Sequence, residues 1–213
     1  MVPATAGRSV RRATAELVKR DAVLAGLVAA HGPCPLAPLD VDGDPEAAYF
    51  SVLVRAVTYQ QLAGRAASAI HGRLVVALGG TVTVAHVLSA PFDELRAAGL
   101  SNAKATTIQG LAAAVAAGTV ALGGIAGHDD AEVIRQLTSV RGIGPWTAQM
   151  FLLFNLGRLD VWPVGDYGVR KGYARAWNVA LPTPAQLDAA GEAWRPFRSI
   201  VAWYCWRAAE TVV

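Results

Sequence analysis

The sequence predicts an all-α protein, and three observations lead there. Apolar residues make up 54% of the 213-residue chain, much of that alanine, valine and leucine, with only 8% aromatics. The apolar positions recur at helical rather than alternating spacing. No convincing period-two strand occurs, since Thr81–Val84 is too short to be more than a stub or a helix start. A chain of this length can build one good-sized core or two closely fused lobes.

Residues 1–31 read as helix, with basic residues at Arg8, Arg11, Arg12, Lys19 and Arg20. Gly32 to Gly43 is a Pro/Gly/Asp-rich connection. Asp44-Pro45-Glu46 opens the next helix, because Asp44 suits an N-cap and Pro45 the first helical position. Phe50, Leu53, Val54 and Val57 then follow at helical spacing. The polar run Thr58-Tyr59-Gln60-Gln61-Leu62 interrupts the apolar stripe, and a helix from Ala63 to Leu78 ends at Gly79-Gly80. Ser89-Ala90-Pro91-Phe92-Asp93-Glu94 starts another. Gly99-Leu100-Ser101-Asn102-Ala103-Lys104 is a turn and a fresh start that runs to about Ala117. Gly118–Gly127 reads as loop. Asp129 or Asp130 caps a helix ending near Val140, Pro145 starts one reaching about Leu156, Asp166 starts the next, and a last helix spans Pro196–Thr211.

Bulk properties exclude more than they assign. The net charge is only +3 and the pI near 9.1, which permits a nucleic-acid partner without arguing for one. Cys34 and Cys205 lie far apart in no Cys-x-x-Cys, so neither a cysteine zinc site nor a four-cysteine iron–sulfur cluster can form. Free buried thiols in a reducing compartment are expected, with a disulfide as the alternative. The apolar segment Ala22–Ala30 mimics a signal peptide, but Glu16, Lys19, Arg20 and Asp21 precede it and no clean cleavage site follows, so it reads as helix. No apolar run has transmembrane length. A cytoplasmic protein is the expectation.

The most informative stretch runs from Leu137 to Lys171. In Val140-Arg141-Gly142-Ile143-Gly144 the glycines allow a tight reversal and let a phosphate approach the main chain. Pro145 starts a helix whose exposed N–H groups and positive dipole end suit an anion. Ile143 would tuck between the helices as an anchor. Gly-x-Gly alone is more often an ordinary helix corner; the flanking Leu-x-x-Val-x-Gly-Ile-Gly-x-x-Thr-Ala pattern favours DNA. Asp166, alone, reads first as an N-cap. A helix N-terminus also favours the ionised carboxylate, which is what a cationic sugar transition state needs. A helix from Pro145 to Leu156 is roughly 18 Å long. The residues from Arg158 to Asp166 span up to about 30 Å if extended, so Asp166 can return to the hairpin end.

These residues resemble the helix-hairpin-helix, Gly/Pro-Asp superfamily of DNA glycosylases. Leu137–Ala148 matches the hairpin and Pro163-Val164-Gly165-Asp166 the Gly/Pro loop with its aspartate. Weaker matches lie at 53–61, at 99–104, and from Pro196-Phe197-Arg198-Ser199 through Trp203-Tyr204-Cys205-Trp206-Arg207, the last similar to the closing helix of the 3-methyladenine DNA glycosylase II branch. The resemblance covers about residues 49–210. It implies two helical lobes, 49–158 ending in the hairpin and 1–48 with 159–213, with the active-site cleft between them and no N-terminal β-domain.

The resemblance further implies base excision repair: flipping of an alkylated purine such as 3-methyladenine or 7-methylguanine and hydrolysis of its N-glycosidic bond, with Asp166 as the catalytic carboxylate. The family's pocket aromatics map onto Trp146, Tyr167 and Trp206; another falls on Met150, a departure that bears on substrate breadth. Trp162, Trp177 and Trp194 are expected to be structural. Gln60, Gln61 and Leu62 occupy the loop whose wedge fills the hole left by the flipped base, with a register open by one residue. Arg141, Gly142, Ile143, Gly144 and Thr147 would contact DNA through the hairpin, with a monovalent cation there as the one cofactor to consider. Arg65, Lys104, Arg170 and Lys171 are further phosphate candidates. Bifunctional relatives carry a lysine after the hairpin glycines; here Pro145-Trp146 follows, so no lyase activity is implied. The expected partner is duplex DNA with damaged bases, bound by a nucleoid-associated monomer. Two other readings stay open: a non-catalytic DNA-binding module, against which Asp166 and the aromatics speak, and a glycosylase for deaminated or oxidised bases, which pocket shape would decide.

Overall fold

The protein is described over residues 4–210 by a computed structural model. The first three residues of the predicted N-terminal helix and the predicted last residue of the C-terminal helix, Thr211, lie outside the described residues. The α-helices run α1 (Ala4–Arg20), α2 (Ala22–His31), α3 (Pro45–Tyr59), α4 (Gly64–Ala77), α5 (Val84–Ser89), α6 (Phe92–Ala97), α7 (Asn102–Ala116), α8 (Asp130–Thr138), α9 (Pro145–Phe154), α10 (Tyr167–Ala176), α11 (Pro184–Gly191) and α12 (Arg198–Glu210), with 3-10 turns at Leu122–Gly127 and Glu192–Trp194. No strand occurs among the described residues. The all-α class follows from these elements.

The chain divides into two compact units, Met1–Asp40 with Gln149–Val213, and Val41–Ala148. The limits expected from sequence were 49 and 158. The observed divide falls within α9, so that helix contributes its first turn to one unit and its remainder to the other.

In the Val41–Ala148 unit, Asp44 caps α3, accepting from Glu46 N at 2.9 Å. The α3 stripe Phe50, Leu53, Val54 and Val57 is fully buried, as are Ile108 and Leu111 of α7. Each such aliphatic or aromatic side chain contributes about 1.5–3 kcal/mol by leaving water. Thr83 caps α5, so Thr81–Val84 is a helix start rather than a strand stub. The stretch read as loop, Gly118–Gly127, contains a 3-10 helix because Leu122 and Ile125 are drawn into the core and Gln136 Oε1 accepts from Ala121 N at 2.9 Å.

In the other unit, the single helix expected over 1–31 is two. Asp21 breaks it by capping α2, its Oδ1 accepting from Val23 N at 2.8 Å. Its Oδ2 accepts from two indoles, Trp177 Nε1 and Trp194 Nε1, both at 3.1 Å. Trp162 is buried with its Nε1 donating to Leu187 O at 2.9 Å. The helix α11 was not anticipated, although Thr183 and Gln186 form a reciprocal capping box around Pro184. The helix α12 starts at Arg198 rather than Pro196.

The helices α10 and α12 pack closely against each other. A Cβ on Gly172 would collide with the main-chain carbonyl of Cys205, and one on Gly168 would lie 2.9 Å from Trp206 Cδ1. The pair Gly168-x-x-x-Gly172 therefore forms a bare seam on α10 into which α12 settles.

Candidate active site and nucleic-acid interface

The hairpin lies wholly in the Val41–Ala148 unit. After α8, Val140 N donates to Leu137 O and Ile143 N to Val140 O, closing a tight turn. Gly142 sits at φ +96°, and a side chain there would run into Thr107 of α7. Glycine is thus required twice over, by backbone conformation and by the neighbour. Ile143 is buried. Gly144 differs, since a Cβ there meets nothing within 4 Å. It borders open space at the start of α9, where the first N–H groups have no intrahelical acceptors. Arg141 is exposed, and Thr147 is buried.

The loop after α3 is fastened to this hairpin. Gln60 Nε2 donates to Gly142 O at 3.2 Å and reaches Thr147 Oγ1 at 3.4 Å. Gln61 holds φ +55°, and Leu62 is 40% exposed. Of the four further phosphate candidates, Arg65 and Lys171 are exposed. The other two donate to main-chain carbonyls of the protein itself. Lys104 Nζ donates to Thr58 O and Gln60 O, both at 2.7 Å, and burial lowers its pKa from the ordinary lysine value. Arg170 Nε donates to Pro182 O at 2.8 Å.

Asp166 belongs to the other unit. The turn before it closes with Asp166 N donating to Pro163 O at 2.9 Å. Upstream, buried Ser199 of α12 pins the chain, its Oγ donating to Arg158 O at 2.7 Å and accepting from Val161 N at 2.8 Å. Asp160 is held by Arg198 Nε at 2.7 Å and Arg195 NH1 at 2.8 Å. It is a structural anchor for the segment leading to Asp166. Asp166 itself caps α10, and its Oδ1 accepts both Val169 N at 2.8 Å and Trp206 Nε1 at 3.0 Å. The backbone donor fixes one carboxylate oxygen at the N-terminus of α10. The indole donor fixes its orientation.

Trp206 therefore has two tasks that the sequence reading did not separate. Its nitrogen holds Asp166, and its ring packs against Phe154 at 5.8 Å between centroids and a 30° tilt. Phe154 is 45% exposed and was missed. The available signal was its place four residues after Met150 and eight after Trp146 on α9, one face of a helix. Trp146 is 50% and Tyr167 64% exposed, large aromatic surfaces that packing alone does not explain; Met150 is half-buried. Trp203 has its ring against Tyr204 and beneath the Arg207 guanidinium. Among the described residues no group of three or more His, Cys, Asp or Glu is placed to hold a metal ion. None of the described helices is long and apolar enough to cross a membrane.

Residues 54–196 match the family model described as HhH-GPD superfamily base excision DNA repair protein. A relative from Schizosaccharomyces pombe named DNA-3-methyladenine glycosylase 1 is 33% identical over 165 residues, covering 76% of this chain and 72% of its own. The crystal structure of a DNA-3-methyladenine glycosidase from Bacillus halodurans superimposes with a TM-score of 0.79 at 34% identity, covering 91% of this chain and 87% of that one. A 3-methyladenine DNA glycosylase from S. pombe in complex with abasic DNA superimposes with a TM-score of 0.78 at 31% identity, covering 92% and 95%.

Proposed function

Because the chain belongs to the HhH-GPD superfamily of base excision DNA repair proteins, we propose that it is a monofunctional DNA glycosylase that releases alkylated purines, of the 3-methyladenine and 7-methylguanine kind, from duplex DNA. The observation that carries this reading is the pairing of Asp166 Oδ1 with Trp206 Nε1 at 3.0 Å, a carboxylate oriented beside an aromatic surface at a helix N-terminus.

The chemistry follows from those groups. The damaged nucleotide is extruded from the duplex. A purine methylated on a ring nitrogen carries positive charge, so it is a good leaving group and stacks on electron-rich rings. Trp206 and Phe154 supply such rings, with Trp146, Met150 and Tyr167 as further substrate contacts. As the bond from the sugar C1′ to the base nitrogen breaks, the base takes the electron pair and becomes neutral. Positive charge gathers on the sugar, where the Asp166 carboxylate stabilises it. Water then bonds to C1′ and loses a proton.

The hairpin of Arg141, Gly142, Ile143, Gly144 and Thr147 grips a phosphate through its main chain, and Gln61 or Leu62 fills the vacated stack. The hairpin offers neutral carbonyl oxygens and no carboxylate, a donor set that suits a monovalent cation rather than a transition metal. Arg141 and Ile143 would hold such an ion by their main chains, and it would add positive charge facing the phosphate. The absence of lyase activity is supported by Pro145-Trp146 after the hairpin glycines and by the inward engagement of the Lys104 amine. We infer action as a monomer on cytoplasmic DNA.

The test is release of methylated bases from methylated duplex DNA, read by mass spectrometry, with borohydride present in a parallel reaction. Release of 3-methyladenine or 7-methylguanine without a trapped protein–DNA adduct is expected. A protein that releases no methylated base, or one that is trapped covalently as it nicks the strand, refutes the assignment.

A further inference from the structure

The loop Gln60–Leu62 and the hairpin share one support. Lys104 and Thr107, three residues apart on α7, lie on the same face of that helix. Lys104 Nζ donates to the Thr58 and Gln60 carbonyls at 2.7 Å each, capping the C-terminal end of α3, where the helix dipole favours a cation. Thr107 stands against Gly142, close enough that any side chain there would collide with it. Gln60 closes the ring, its main-chain carbonyl on Lys104 and its side chain on Gly142 O. The next residue, Gln61, is a non-glycine at φ +55°. That conformation is disfavoured and persists where its surroundings over-determine it. Here the residue before it is fixed at both ends.

We propose that Lys104 is a positioning residue for base flipping: it holds the Gln61-Leu62 wedge at a set register over the hairpin, so that phosphate grip and wedge insertion act as one rigid device. This rests on the reading of the chain as a base-flipping glycosylase. Lys104 spends its charge on two carbonyls of its own chain rather than on DNA. Its removal frees the wedge without removing a phosphate contact. That distinguishes it from the other basic residues near the hairpin, such as Arg141.

The experiment compares wild type, Lys104→Met and Lys104→Arg on two duplexes. One is undamaged; the other carries a tetrahydrofuran abasic analogue with 2-aminopurine opposite it, whose fluorescence reports wedge insertion. For Lys104→Met, affinity for the undamaged duplex is expected within twofold of wild type. Preference for the abasic duplex should fall at least tenfold, with loss of the fluorescence change. The slope of log affinity against log salt should stay unchanged. Lys104→Arg, which can still donate to both carbonyls, should recover most of the preference. A salt slope smaller by about one, with both affinities falling together, makes Lys104 a phosphate contact and overturns the proposal. So does unchanged preference and fluorescence, which leaves a plain helix cap. Should Lys104→Met not fold, Lys104→Gln, which removes the charge and shortens the donor, faces the same outcomes. A wild-type protein that shows no preference for the abasic duplex refutes the glycosylase reading itself, before any substitution is compared.

Discussion

Replacing Asp166 with asparagine separates charge from architecture. Asparagine keeps an oxygen where Oδ1 accepts Val169 N at 2.8 Å and Trp206 Nε1 at 3.0 Å. Both bonds weaken from charge-assisted to neutral, and one favourable dipole interaction is lost. Together these cost about 1–2 kcal/mol of stability. For a chain of this size that lowers Tm by roughly 2–8 °C. If the carboxylate stabilises the cationic sugar, the barrier rises by on the order of 3 kcal/mol or more, a hundredfold or greater loss of rate. The measurement is single-turnover release of 7-methylguanine from a duplex carrying one such base, wild type against Asp166→Asn, at a temperature where both are folded. Binding to an undamaged duplex should persist or tighten, since one negative charge has left. Asp160 cannot take over, being tied to Arg195 and Arg198. Excision within fivefold of wild type would reduce Asp166 to a helix cap and refute the proposed chemistry.

Further expectations follow from the same structure. Gly142→Ala should lower Tm by several degrees through its collision with Thr107 and its strained φ, whereas Gly144→Ala should leave Tm within a degree or two and weaken duplex binding measured at low salt; the reverse pattern would mean the two glycines have been assigned the wrong roles. Trp206→Phe keeps a ring against Phe154 but removes the donor to Asp166, so excision should fall tenfold or more while undamaged-duplex affinity, measured by fluorescence anisotropy, holds. Burial pushes the Cys34 thiol up to about 12 and raises that of Cys205, so a thiol reagent at pH 8 should label neither until the protein is unfolded. The same shifts set a pH trend. Thiols whose folded pKa lies above the unfolded value contribute stability below about pH 8.5 that is lost as pH rises toward 12. Chemical denaturation across that range should show the decline, and a cysteine-free variant should show less of it.

Local signals were the legible ones. Asp44, Ser101, Asp129 and Asp166 all act as N-caps, accepting a main-chain N–H two or three residues on, because capping is decided within one turn of chain. The hairpin glycines and the Pro163–Asp166 turn were readable for the same reason. What failed depended on partners distant in sequence. Asp21 breaks the first helix partly because two indoles more than 150 residues away converge on it. Lys104 looked like a surface cation, since the carbonyls that claim it lie 44 and 46 residues upstream. Phe154 lies in an apolar helix and drew no notice in the sequence, while its exposure and its contact with Trp206 mark it out.

The seam on α10 has a consequence for anyone altering this protein. Glycine within a helix normally invites replacement by alanine, a change that gains about 0.4–1 kcal/mol where the backbone permits it. At Gly168 the added methyl would stand 2.9 Å from the Trp206 ring and 3.1 Å from Asp166 Oδ1. Relieving that crowding means shifting the indole, and the carboxylate shifts with it. A substitution chosen to make the protein hardier would thus detune its chemistry by tenths of an ångström. The backbone gain and the crowding oppose each other in Tm, so thermal screening alone would not register the change at the carboxylate.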